Sequence, residues 1–349
     1  MPLARKLVTV SAYGVRGSSA RVRIFDWLRV LGIDAERSTY LDRADNPLGA
    51  LARDPSAVVA AERRLRALAS SVDEATVLLS REASPLSFGS VESRLLRRSA
   101  YGVYDFDDAL YAGYPGGLLS RARHIDRVWR RSVAAADIVI AGNETLASRA
   151  AELASRVVVI PSCVDPDEYL VKNSYAVSGV PTAVWLGSPS TERQLDVARE
   201  PLLALHRERG LRLTLISAGD RSHGELDAMI DRVTWSPGGV ADVLASADVG
   251  IMPLEDDEWT RGKCAYKLLQ YAAAGLPVVG SAVGVNVAVL DRLHGVAVSS
   301  ASQWRDALHS VFEADESARA GLGQEARTAV IEHYSYGAWA DCWQAAIDG

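Results

Sequence analysis

Short runs of branched apolar residues recur along the chain, each followed by a glycine or polar turn and then by a stretch of helical period. In the first half the runs at 7–10, 75–79, 102–104, 136–143 and 156–161 predict strands. In the second half those at 182–186, 211–217, 233–236, 248–253 and 277–281 do the same. Between them, 20–31, 57–70, 91–98, 120–135, 144–153 and 240–247 read as helices, as does a stretch from 265 that Gly275 and Pro277 end. Residues 334–347 read as an aromatic-rich helix, with Trp339 and Trp343 on one face. Strands apolar on both faces and alternating with helices belong to parallel sheets, so the fold class is α/β. A chain of 349 residues exceeds one average domain. The polar stretch 169–181 has no period and is the expected linker between two.

Composition narrows the functions. With 48% hydrophobic and 23% charged residues the chain is an ordinary globular one, and its net charge of −6 argues against a nucleic-acid partner. Its three cysteines are far apart and form no metal-binding or disulfide spacing. No apolar run reaches membrane-spanning length, and residues 1–14 hold no apolar run of signal-peptide length. The expected location is cytoplasmic, with at most peripheral membrane contact.

The candidate chemistry gathers at predicted strand ends, where open α/β sheets bind ligands. Gly14 and Gly17 follow the first strand and let backbone approach a ligand closely, although their spacing is not a dinucleotide fingerprint. Ser80-Arg81-Glu82 ends the run at 75–79. Arg21 and Arg23 are either an anion contact or a solvated helix face; Arg94, Arg97 and Arg98 are either a solvated face or a basic patch for an anionic acceptor or a membrane. Asp105, Asp107 and Asp108 end the run at 102–104. Clustered like charges repel, so three uses compete for them: a metal site, a phosphoaspartate nucleophile, or hydroxyl recognition with acid–base work at a sugar. Residues 113–117 (GYPGG) suggest a mobile lid. Trp235 is either a base contact or a core residue. The densest stretch is 255–286: an acidic cluster through Glu258, then Arg261, Gly262 and Lys263, then a helix start with Lys267 one turn in. Cations at a helix N-terminus suit a phosphate or diphosphate.

Two strings carry a resemblance. VYDFDDALY (103–111) and RGKCAYKLLQYAAAGLPVVGSAVGVN (261–286) resemble a bacterial branch of the family 4 glycosyltransferases with VYD-x-DDA and RGKC-x-x-KLLQY motifs. These are retaining enzymes of the GT-B fold. The resemblance implies two Rossmann-like domains whose parallel sheets face across a cleft. An acceptor-side domain would span 1–168, with a C-terminal helix 331–349 packing back on it, and a donor domain 178–330. It implies sugar transfer from a nucleotide-diphospho-sugar, UDP- or GDP-linked, to a small-molecule or lipid-linked acceptor in natural-product or cell-envelope biosynthesis. No metal and no separate cofactor are implied, and the protein would be a monomer or homodimer. The candidate catalytic carboxylates are Asp107, Asp108 and Glu258. Gly14, Gly17, Gly187, Arg193, Arg261, Lys263, Lys267 and Gln270 would serve the donor nucleotide and diphosphate. Arg193 stands where the family has a phosphate-binding Lys, and Ser188 where it has an Arg. The family's paired glutamates fall on Gly262 and Gln270, so neither is kept. That loss keeps open a nucleotide-sugar epimerase or a non-catalytic nucleotide-sugar-binding protein of the same fold.

Overall fold

The structure, a computed structural model, describes residues 3–114, 124–177, 179–236 and 239–349. The chain forms two compact units. The first is Met1–Ser162 with Arg261–Cys264 and Trp339–Gly349; the second is Cys163–Thr260 with Ala265–Ala338. The lid suggested at 113–117 lies largely outside the described residues.

The first unit is built on a sheet of β1 (Leu7–Ser11), β2 (Glu36–Thr39), β3 (Thr76–Ser80), β4 (Tyr101–Phe106), β5 (Ile138–Ala141) and β6 (Val157–Val159). Its order is β2-β1-β3-β4-β5-β6, with every pairing parallel. β1, β3 and β4 are buried along their whole length, which is why they read as continuous apolar runs. β2 is an edge strand with the polar sequence ERST and gave no such signal. The strand order reverses between β1 and β3, so the carboxyl ends of those strands flank a ligand-binding position.

The first helix runs from Ser18 to Leu31 and passes through a π-helical turn at Arg21–Phe25. The widened turn buries Val22 to Phe25 in succession and carries Arg23 inward. Arg23 is therefore neither a solvated arginine nor an anion contact: it is 1% exposed and paired with Asp105. At the other end of the chain, Trp343 stacks on Trp27 with centroids 5.2 Å apart. Trp339 does not share its helix face. Ser335 bridges to Val164 and its hydroxyl caps Ala338, so the chain turns through Gly337–Trp339 before the helix Ala340–Asp348.

The second unit holds β7 (Thr182–Leu186), β8 (Arg212–Ser217), β9 (Ile230–Thr234), β10 (Val249–Met252), β11 (Val278–Ser281) and β12 (Val296–Val298). The order is β12-β11-β10-β7-β8-β9, again all parallel. Alternate residues of β7 feed two cores. Val184 and Leu186 join one that includes Leu268 and Tyr271, while Ala183 and Trp185 join another that includes Leu202 and Trp304. Here the order reverses between β7 and β10. Residues 169–177 are no free linker. Lys172 N donates to Ala274 O (2.9 Å), Tyr175 Oη to Gly275 O (2.8 Å) and Arg319 Nε to Tyr175 O (2.7 Å), which straps the segment to the second unit. Among the described residues no helix is long and apolar enough to cross a membrane.

Candidate functional site

In the first unit the chemistry lies at the carboxyl ends of β3 and β4. Asp105, inside the sheet, receives Arg23 Nη2 at 2.6 Å and Nε at 3.1 Å, and Ser80 Oγ at 3.4 Å. Burial raises the Asp105 carboxyl even against the adjacent guanidinium. Asp107 and Asp108 lie further out and meet Arg81. Its Nη1 is 2.9 Å from Asp108 Oδ2 and 3.4 Å from Asp107 Oδ1, and it donates to Ser19 Oγ at 2.6 Å. Arg81 holds φ +62°, a left-handed conformation that costs a non-glycine residue energy. It is held there by its N–H on Asp105 O (2.9 Å) and by Tyr104 Oη on its carbonyl (2.9 Å). Its buried Nε has no hydrogen-bond partner among the described residues.

The Arg261–Cys264 turn completes this cluster. Lys263 Nζ donates to Asp108 Oδ1 at 2.7 Å and Cys264 Sγ to Asp107 O at 3.2 Å. Asn143 Nδ2 donates to the carbonyls of Gly262 (3.2 Å) and Lys263 (3.1 Å), while its Oδ1 caps the helix Glu144–Ala150. A Cβ on Gly262 would lie 2.8 Å from Ala109 N, so the turn needs its glycine for close packing. Burial would raise the Asp108 carboxyl, but the Lys263 ammonium and Arg81 guanidinium outweigh it and hold Asp108 below the usual carboxylate range. Burial and Asp107 push the Cys264 thiol well up, so it stays protonated. Beside this, Tyr13 Oη donates to Glu82 Oε1 (2.8 Å), and Tyr114 Oη reaches the same oxygen at 3.3 Å. Carboxylates and phenols converging on one strand edge suit a polyhydroxy ligand.

In the second unit the chemistry lies at the β7/β10 reversal. Lys267 Nζ sits 5.0 Å from the Trp185 ring centroid, a cation–π contact on a buried indole. Gly187, just past β7, makes room for both: a Cβ there would stand 2.7 Å from Trp185 Cζ2 and 2.9 Å from Lys267 Cε. The 3₁₀ segment Pro189–Ala198 follows and carries Arg193, half-buried and without an ion-pair partner among the described residues. Glu255 N donates to Gln194 Oε1 (2.7 Å), which ties this segment to the loop after β10. Glu192, fully buried, is gripped by His223 Nε2 (3.1 Å) and Arg232 Nη2 (3.4 Å).

Residues 180–314 match the family model described as "Glycosyl transferases group 1". Among solved structures, sucrose-phosphate synthase from Thermosynechococcus elongatus superposes with a TM-score of 0.71 at 16% identity, covering 98% of each chain. Anabaena HepE in complex with UDP follows at 0.68 and 14%, covering 97% of this chain and 99% of that one. Trehalose-6-phosphate synthase OtsA matches at 0.67 and 12%, covering 98% of each. The chain has the GT-B fold. Together the family match over the second unit and the GT-B fold support a glycosyltransferase. No curated protein matches the chain.

On the GT-B framework the sequence-predicted residues separate into groups. Asp107, Asp108 and Lys263 meet in the first unit, where Lys263 pairs with Asp108. Gly14 and Gly17 form the turn after β1. A Cβ on Gly14 would lie 2.7 Å from the Asp42 carbonyl carbon, and one on Gly17 would lie 2.7 Å from Tyr13 Cβ and 3.0 Å from Ala44 O, so both glycines let this turn pack closely on residues 42–44. Gly187, Lys267 and Arg193 gather in the second unit. Gln270 is 9% exposed and donates from Nε2 to Tyr169 Oη at 3.1 Å. Glu258 and Arg261 lie exposed at the two ends of the short helix Glu258–Arg261. Trp235 is half-buried against one of the cores. Tyr13 and Trp185 are site residues that sequence reasoning missed, whereas Arg81 was marked by its place at a strand end but not by its partners. Among the described residues no group of three or more His, Cys, Asp and Glu is placed to hold a metal ion.

Proposed function

We propose that this glycosyltransferase moves a sugar from a nucleotide-diphospho-sugar to a hydroxyl acceptor with retention of anomeric configuration and without a metal ion. The observation that carries the reading is the second unit's strand reversal, where Lys267 and Arg193 border a glycine turn. Two cations there neutralise charge developing on a departing diphosphate, the term that dominates when such a group leaves. Asp107 and Glu82 in the first unit accept hydrogen bonds from sugar or acceptor hydroxyls. Asp108 stays ionised between two cations, so it holds the cluster in place and does not donate a proton. The acceptor belongs to natural-product or cell-envelope chemistry, small or lipid-linked, and UDP or GDP is the donor nucleotide.

The test is to incubate the protein with UDP- and GDP-sugars and a panel of hydroxyl acceptors in EDTA, and to read the product's anomeric coupling by NMR. A glycoside of the donor's configuration supports the reading. A glycoside of inverted configuration, or one formed only with added metal, refutes the corresponding part. The missing glutamate pair at Gly262 and Gln270 favours a second reading, in which donor is bound or isomerised without transfer. A new nucleotide-sugar isomer formed without acceptor would establish it.

A further inference from the structure

The loop 83–89 of the first unit holds two large apolar side chains out in solvent, Leu86 at 43% and Phe88 at 48% exposure. It is not a loose loop. Buried Glu92 accepts from the N–H groups of Ala83 (3.0 Å) and Ser84 (3.3 Å) and from Ser87 Oγ. Ser84 Oγ accepts from Leu86 N (3.0 Å), Ser87 Oγ from Gly89 N (2.9 Å), and Arg131 Nη1 donates to Phe88 O (3.0 Å). With its backbone fixed this way, the loop cannot fold its apolar tips inward.

Two helices flank it, Ser90–Arg98 and Ile125–Val133. They connect β3 to β4 and β4 to β5, neighbours in the same parallel sheet, so right-handed crossovers put both on one face. They also touch: Ser93 Oγ reaches Arg131 O at 3.3 Å, and Arg127 lies 5.9 Å from the Phe88 ring centroid. Each buries its apolar side, Leu95 and Leu96 on one, Val128 and Trp129 on the other. Their outward sides carry Arg94, Arg97 and Arg98, and Arg127 and Arg130, against the single exposed acid Asp126. None of these five arginines is in an ion pair among the described residues. This face is strongly basic on a chain whose net charge is −6.

We propose that this face docks the protein on an anionic phospholipid bilayer. The arginines lie over headgroup phosphates and Leu86 and Phe88 enter the acyl boundary. Exposed arginines beside an exposed apolar pair fit an anionic bilayer, which offers headgroup phosphates and an acyl boundary together, better than a nucleic-acid backbone, which offers charge without an apolar phase. This inference is independent of sugar transfer.

The test is flotation of the full chain with vesicles of phosphatidylcholine alone and with phosphatidylglycerol added. The protein is expected to float only with the anionic vesicles, and to be released at roughly 0.5 M salt. Each arginine neutralised should weaken partitioning about fivefold, so Arg94→Gln, Arg97→Gln and Arg98→Gln together lose about a hundredfold. Leu86→Ser with Phe88→Ser should lose about tenfold or more. All these side chains are exposed, so circular dichroism and the melting midpoint should match wild type. No binding to anionic vesicles, equal binding to neutral ones, unchanged partitioning of both variants, or tighter binding to duplex DNA than to vesicles would each overturn the proposal.

Discussion

Replacing Gly187 by alanine tests the second unit's site through a single methyl group. Gly187 does not use a positive φ, so alanine meets no backbone penalty there. What it meets is space: the new Cβ would stand 2.7 Å from Trp185 Cζ2 and 2.9 Å from Lys267 Cε, where ordinary contact begins at 3.4 Å. Trp185 is 1% exposed in a packed core and cannot give way; the Lys267 stem is half-buried and can. The turn carrying the methyl must therefore shift away from the indole, and the Lys267 stem must move off it. Overpacking should cost about 1–3 kcal/mol of stability. Losing one charge-assisted bond to a diphosphate should cost about 1.5–3 kcal/mol of binding, or roughly 10- to 100-fold in nucleotide Kd. Titration calorimetry with the responding nucleotide reads the second figure. Lys267→Met keeps the stem and should show the same loss of affinity with little loss of stability. If the methyl acts through Lys267, the double variant binds no worse than Lys267→Met alone. Wild-type affinity in Gly187→Ala, or strictly additive losses in the double variant, would refute the reasoning.

Asp108→Asn leaves Arg81 and Lys263 facing each other. It should destabilise by about 2–4 kcal/mol in urea denaturation, below the full buried-pair figure because the Lys263 side chain is 24% exposed, and Lys263→Met should absorb much of that loss. Because the folded Asp108 pKa is depressed, its contribution is present above the unfolded carboxylate pKa of about 3.9 and is lost as pH falls through the lower folded value; the gap between wild type and Asp108→Asn should persist at about pH 5 and close only in stronger acid. Arg23→Leu strands a buried Asp105 and should cost about 3–5 kcal/mol, part of it recovered by adding Asp105→Asn. Cys264, its thiol held up by burial and Asp107, should react with iodoacetamide at about pH 8 far more slowly than an unhindered thiol, and faster in Asp107→Ala.

The two sheets were legible because parallel strands buried on both faces carry runs of apolar residues, as Val77–Leu79 of β3 and Val278–Val279 of β11 do. β2 escaped because an edge strand with sequence ERST has no such requirement, and β12 because three residues make too short a run. Arg23 was legible as a residue and not as a place: a helical period puts it outside, and only the π turn brings it to Asp105. The RGKC string was recognisable as a motif, but its physical reason lies in tertiary structure. Gly262 packs on Ala109, Lys263 pairs with Asp108 and Asn143 grips the turn, contacts that join residues more than a hundred positions apart. Arg81 shows the same limit. Its place at a strand end marks it in the sequence, but its left-handed φ and its two carboxylate partners come only from the fold.

The most direct measurement is the melting midpoint of wild type and Lys267→Met across UDP, GDP, dTDP and ADP and their common sugars, with EDTA throughout. The account predicts that one nucleotide series raises the wild-type midpoint, because it binds only the folded state, and that Lys267→Met loses most of the rise. A midpoint unmoved by every nucleotide, or a shift that survives intact in Lys267→Met, would contradict the assignment of the second unit's strand reversal as a nucleotide-sugar site.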